Sequence, residues 1–137
     1  MTLVLRAIAV LILSSVSMFA QDWPYVGRHA GGTRHSSLAQ ITRANVAKLE
    51  IAWTFDTEDW SDGKDMPSRS SFEATPLVID GILYVPSPMS RLFALDAETG
   101  KRIWVFDAAI NKTIPRNLFV NRGVPVLSGS WSPRLLT

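Results

Sequence analysis

The sequence predicts an all-β fold, and three features of the stretch "FEATPLVIDGILYVPSPMSRLFALDAETGKRIWVFD", Phe72 to Asp107, carry that expectation. It holds four short runs rich in Val, Ile, Leu, Phe and Tyr, the side chains that fit a pleated sheet. Residues suited to turns separate the runs. A tryptophan, Trp104, stands in the last run, and a partial second copy of that run lies earlier in the chain, at Leu49 to Phe55.

Thr75 to Ile79 and Ile82 to Val85 flank Asp80-Gly81, a dipeptide suited to a two-residue type I′ hairpin because both central positions need positive φ. The next separator, Pro86 to Ser90, cannot donate a full ladder of hydrogen bonds and ends the second run. The third run is Arg91 to Leu95 and the fourth Arg102 to Phe106. Between them Asp96 can accept hydrogen bonds from turn N–H groups, and Gly100 supplies a left-handed residue. The four runs make a four-stranded antiparallel meander whose length is close to one blade of a β-propeller. Trp104, on the outermost strand, is expected to cover the junction with a neighbouring sheet and to bury ~200 Å².

"LEIAWTF", Leu49 to Phe55, has the form of "KRIWVF" and reads as the last strand of a preceding blade. Ahead of it, Thr42 can cap a short helix through Asn45 to Lys48, with Val46 and Leu49 packing inward. The fold expected is about one blade plus part of another.

Composition narrows the function. In 137 residues, 47% are hydrophobic and 19% charged, which suits a packed domain. A formal charge of +2 provides no basic field for a phosphate backbone, so no nucleic-acid partner is expected. With no cysteine there is no disulfide, thiolate metal site, thiol nucleophile or lipid-modified cysteine. The first 20 residues combine Arg6, an apolar run from Ala7 to Leu13, and small residues leading to Ala20, the layout of a cleavable signal peptide. Arg6 and the serines leave too little apolar length for a spanning helix. The expectation is a periplasmic or secreted protein, with residues 21–137 as the mature part.

Other polar stretches promise less. "DTEDWSDGKD" resembles a calcium loop around Gly63, yet aligning that glycine puts Trp60 and Arg69 where oxygen ligands are required, so a solvated loop is expected. His29 and His35 lie in a Gly-rich loop and suit hydrogen bonding or exposure better than metal binding. Asn111 in "NKT" meets a glycosylation pattern that, being so short, carries little weight.

"DWPYVGRHAGGTRHSSLAQITRANVAKLEIAWTF", followed by Phe72 to Asp107 and "NRGV", resembles the N-terminal part of the pyrroloquinoline quinone (PQQ)-dependent dehydrogenases, from Trp23 to Val124 in matching order. "FEATPL" and "RLFALDAETGK" read like the glucose and quinate branch. Methanol-type members carry an adjacent cysteine pair where Arg116 and Asn117 stand here. The resemblance implies an eight-bladed β-propeller with PQQ near its axis and a calcium ion beside the quinone. It implies oxidation of a sugar or alcohol with electrons passing to a quinone or cytochrome acceptor. Two cofactor contacts map onto this chain: Glu73, in "FEATPL", at the edge of the PQQ ring, and Arg122, in "NRGV", on a PQQ carboxylate. A planar guanidinium suits that task through paired charge-assisted hydrogen bonds. Without the resemblance both would read as surface residues at blade ends.

The family's calcium ligands and catalytic base are expected beyond Thr137, so no catalytic residue is assigned. Residues 125–137 depart from the family pattern, as a truncated or frameshifted gene would explain, and the chain alone is expected to be an inactive fragment. The alternative is a non-catalytic propeller scaffold of the cell envelope with the same blade repeat. Glu73, Arg122 and the missing lipoprotein cysteine count against it.

Overall fold

Asp80 and Gly81 both sit at positive φ, 50° and 73°, and close the first hairpin of the molecule as their side chains predict. In this computed structural model, residues 21–127 and 134–135 are described; the expected signal peptide lies outside the described residues. The strands are β1 (Ser70–Phe72), β2 (Leu77–Ile79), β3 (Ile82–Pro86), β4 (Arg91–Asp96), β5 (Arg102–Asp107), β6 (Phe119–Asn121), β7 (Val126–Leu127) and β8 (Arg134–Leu135). Strands β2 to β5 form the expected antiparallel meander in sequence order, with Leu77 opposite Tyr84, Tyr84 opposite Ala94, and Ala94 opposite Trp104. β1 pairs with β6 in parallel, and β7 with β8 antiparallel.

The turn before β5 is built as its sequence demands. Thr99 donates from its N–H (2.8 Å) and its hydroxyl (2.7 Å) to Asp96 Oδ1, and Gly100 takes φ +72°. These bonds hold the Asp96 carboxyl below the usual carboxylate range, with the Thr99 hydroxyl the largest influence. β4 is the centre of the sheet, with Leu92, Phe93, Ala94 and Leu95 all buried. Leu77, Leu92 and Val124 pack together with Tyr84 against them. The outer edge of β2 is covered by Trp23, which exchanges two backbone hydrogen bonds with Val78 at 2.7 and 3.1 Å.

β5 differs from expectation. Every residue on it is exposed, and Trp104 retains 39% of its surface, resting at one side on Tyr84 with ring centres 6.0 Å apart. Among the described residues no second sheet lies against β5, so Trp104 is not docked. Packing of a tryptophan on the blade turn comes from Trp53 instead. A Cβ added at Gly100 would fall 2.4 Å from the Trp53 ring, so the indole lies directly on that glycine. Phe55 follows it, edge-on to Phe93 at 5.1 Å.

The strand expected at Leu49 to Phe55 is not formed. The segment meets no partner strand among the described residues, and it is held by side chains. From Trp53 to Ser61 the odd-numbered residues turn inward while Thr54, Asp56, Glu58 and Trp60 face water, an extended chain without a ladder. The short helix is a single 3₁₀ turn, Val46–Lys48, and Thr42 does not cap it with its side chain. The Asn45 side chain accepts the Thr42 N–H at 2.6 Å, and Val46 and Leu49 are exposed rather than packed. One turn cannot bury a hydrophobic stripe when nothing lies beneath it.

Candidate functional site

The parallel pairing of β1 and β6 sets Ser70 opposite Phe119, Ser71 opposite Val120 and Phe72 opposite Asn121. One step further along both strands, the register brings Glu73 and Arg122 side by side. Arg122 Nε lies 3.2 Å from Glu73 Oε2. The two residues assigned by resemblance therefore form an ion pair, at the mouth of a parallel strand pair rather than scattered over the surface. The Arg122 side chain is largely exposed and that of Glu73 partly so. The carboxylate engages Nε, which leaves the two terminal guanidinium nitrogens pointing to no other acceptor among the described residues. An arginine held in this way presents a charged, planar fork to an incoming carboxylate.

Local chemistry fixes the strand that carries Arg122. Asn121 Oδ1 accepts the Gly123 N–H at 3.0 Å, and Gly123 takes φ +148°, a conformation that L side chains rarely adopt. Arg122 and Gly123 line one wall of a concavity of about 540 Å³ whose other walls include Tyr25, His29 and Leu77. Within the Gly-rich loop, His29 is tied to its own neighbours: Nδ1 accepts the Gly31 N–H at 2.9 Å, so Nε2 carries the proton toward Thr33 Oγ1 at 2.7 Å when the ring is neutral. His35 contributes its carbonyl to Arg28 at 2.8 Å. Asn111 closes a local turn on Thr113.

The acidic stretch is not the solvated loop that its composition suggests. Asp59 and Ser61 are buried. Arg91 grips Asp59 with two bonds of 2.8 Å, one from Nε to Oδ2 and one from a terminal nitrogen to Oδ1, and also reaches the Thr57 carbonyl. The Ser87 hydroxyl donates to the same Oδ2, and Lys112 stands 3.8 Å from Oδ1. Burial pushes the Asp59 carboxyl up, but the hydrogen bonds from Arg91 and Ser87 and the charges of Arg91 and Lys112 outweigh it and hold the group below its ordinary value. The bond to Asp59 raises Arg91 in turn. On the far side of the stretch, Ser61 exchanges bonds with Ser70 and donates its hydroxyl to the Ser68 carbonyl, and the Ser68 hydroxyl donates to the Arg116 carbonyl. The acidic run thus ties the Trp53 segment to the blade and to β1.

The family model for the glucose/ethanol/alcohol dehydrogenase β-propeller domain, named for PQQ, matches residues 23–134. The chain belongs to this family. The meander is accordingly one blade of a β-propeller, and the chain a partial propeller. The 1-butanol dehydrogenase (cytochrome c) of Thauera butanivorans is 39% identical over 129 residues, which cover 91% of this chain and 17% of that protein. The quinoprotein glucose dehydrogenase of Escherichia coli is 44% identical over 87 residues, 64% of this chain and 11% of that one. The crystal structure of quinohemoprotein alcohol dehydrogenase from Comamonas testosteroni superposes with a TM-score of 0.60 at 36% identity, covering 77% of this chain and 15% of that chain. The chain spans less than a fifth of the length of these relatives. Similarity is spread over alcohol- and glucose-oxidising relatives alike, so the glucose and quinate branch is not singled out.

The residues present fit an anionic quinone cofactor on one count. An exposed guanidinium, paired with Glu73 and bordering a concavity, has donors left for a carboxylate. Among the described residues no group of three or more His, Asp or Glu side chains gathers to hold a metal ion.

Proposed function

We propose that this chain is the N-terminal part of a periplasmic PQQ-dependent dehydrogenase that oxidises a sugar or an alcohol and passes electrons to a quinone or cytochrome acceptor. The observation that carries the reading is the 3.2 Å pair of Glu73 and Arg122 at the end of the β1–β6 ladder, beside an open concavity. Relatives named as dehydrogenases support it over a scaffold role. Export rests on the layout of residues 1–20.

When bound, PQQ supplies the electron-accepting quinone for the oxidised carbon. Arg122 would hold one of its carboxylates through the two terminal nitrogens, and Glu73, paired with Nε, would turn the fork toward it. The pair would also ease the repulsion between a carboxylate and an anionic cofactor, since the guanidinium would neutralise both. Gly123 turns the chain immediately after Arg122 without a side chain of its own. Calcium, which would sit beside the quinone, would take its ligands from other parts of the whole protein.

The test is a chimaera in which residues 23–124 replace the matching segment of the Thauera butanivorans 1-butanol dehydrogenase. Reconstitution with PQQ and calcium, with alcohol-dependent dye reduction, is the expected result. A folded chimaera that takes up no PQQ would remove the reading.

A further inference from the structure

We infer that Ser68 is a positioning residue that locks the register of β1 against β6, and through it the meeting of Glu73 with Arg122. Its bearing on a cofactor rests on the function proposed above; its bearing on the register does not. β1 and β6 have three residues each and come from distant parts of the chain. So short a ladder defines its own register weakly, and a slip of one residue toward the start of β6 would turn every side chain to the opposite face and set Glu73 against Asn121.

Ser68, two residues before β1, is buried, with 4% of its surface exposed. Its hydroxyl donates to the Arg116 carbonyl at 2.7 Å and accepts the Arg116 N–H at 2.7 Å. One side chain thus satisfies both backbone groups of one residue, a two-point clasp that an ordinary ladder bond does not make. The clasp has no equivalent one position earlier, because Pro115 has no N–H to offer. The backbone bonds nearby lack this selectivity: Phe119 N–H to the Arg69 carbonyl, 2.8 Å, is a ladder bond that a slipped strand could re-form with another carbonyl. On its other side β1 is held to Ser61, which fixes it along its own segment but not against β6.

The experiment uses the full chain, which has no cysteine of its own. Phe72→Cys with Asn121→Cys joins residues that face each other in the register, and Phe72→Cys with Val120→Cys reports a slip of one. With Ser68 intact, the first pair is expected to oxidise faster than the second. Ser68→Thr, which keeps the hydroxyl, should preserve that preference, and Ser68→Val, the shape of Thr without it, should reduce it about tenfold or more, the factor for losing both hydrogen bonds of the clasp. Equal preferences in the Thr and Val chains would overturn the inference. Should the Val chain fail to fold, amide exchange in the unsubstituted chain decides. Protection of the Arg116 N–H comparable with that of Phe119 supports the clasp, and exchange at the free-peptide rate overturns it. No cofactor takes part in either measurement, so a failure of the PQQ reading in the chimaera and a failure of the lock are told apart.

Discussion

The indole of Trp53 lies on Gly100, so close that a single added methyl would fall 2.4 Å from the ring. The glycine is needed twice over there: its φ of +72° favours a residue without Cβ, and the ring occupies the space that a Cβ would take. This contact, with Phe55 on Phe93, holds an extended segment to the blade although no ladder does.

Gly100→Ala should therefore destabilise the chain by about 2–5 kcal/mol, the sum of left-handed strain and forced overpacking. In a Trp53→Ala background the overpacking part vanishes, and the same change should cost about 1–2 kcal/mol. Denaturant melts of the four chains check this. An equal cost in both backgrounds would mean that the ring does not rest on the turn.

Asp59→Ala should cost about 3–5 kcal/mol, because it strands the Arg91 guanidinium against a buried surface. The same carboxylate gives the chain an acid limit. Its folded-state pKa is depressed, so its stabilisation is present in full above the unfolded value of about 3.9 and is lost as the pH falls through the lower folded value. Melts between pH 7 and pH 2 should show stability falling below pH ~4, with a shallower fall in the Asp59→Asn chain. Parallel pH profiles for the two would contradict the assignment.

How much of this was legible in the sequence follows from how local each signal is. Asp80-Gly81 and the Asp96, Thr99 and Gly100 turn act within a few residues, so the meander and its turns could be read directly. Asp59 could not, since its partners Ser87, Arg91 and Lys112 come from distant parts of the chain, and a run of acids looks solvated until a counter-charge is placed against it. The alternation of Trp53 and Phe55 with polar neighbours signals an extended segment, but beyond Thr57 the inner residues are polar and Trp60 faces water, so the pattern gives no sign that Asp59 is buried. The strand assigned to Leu49–Phe55 failed because alternation says nothing about whether a partner strand exists. Glu73 and Arg122 came from family resemblance alone; no spacing in the sequence links them, and only the parallel register does.

Trp104→Ala should cost only about 1–2 kcal/mol, well below the roughly 3–5 kcal/mol of a fully buried aromatic, and Phe93→Ala should reach that larger figure. The comparison uses the exposure of Trp104, 39%, against 1% for Phe93. Equal costs in thermal melts would mean that a neighbour covers β5 in solution.

The chain by itself should bind PQQ more weakly than micromolar. Arg122 keeps most of its side chain in water, and an exposed ion pair contributes about 0–1 kcal/mol, against roughly 8 kcal/mol for micromolar affinity. Titration of residues 21–137 with PQQ and calcium, followed by fluorescence, measures it; saturation at micromolar cofactor would show that the blade suffices.

The claim that Arg122 is a cofactor contact meets its most direct measurement in the chimaera with the Thauera butanivorans enzyme, by equilibrium titration of PQQ into the Arg122 and Arg122→Lys forms. Lysine keeps the charge and loses the fork, so the account predicts an affinity lower by about tenfold to a hundredfold, the worth of one charge-assisted hydrogen bond. An unchanged dissociation constant, in a chimaera that folds and binds PQQ, would contradict it.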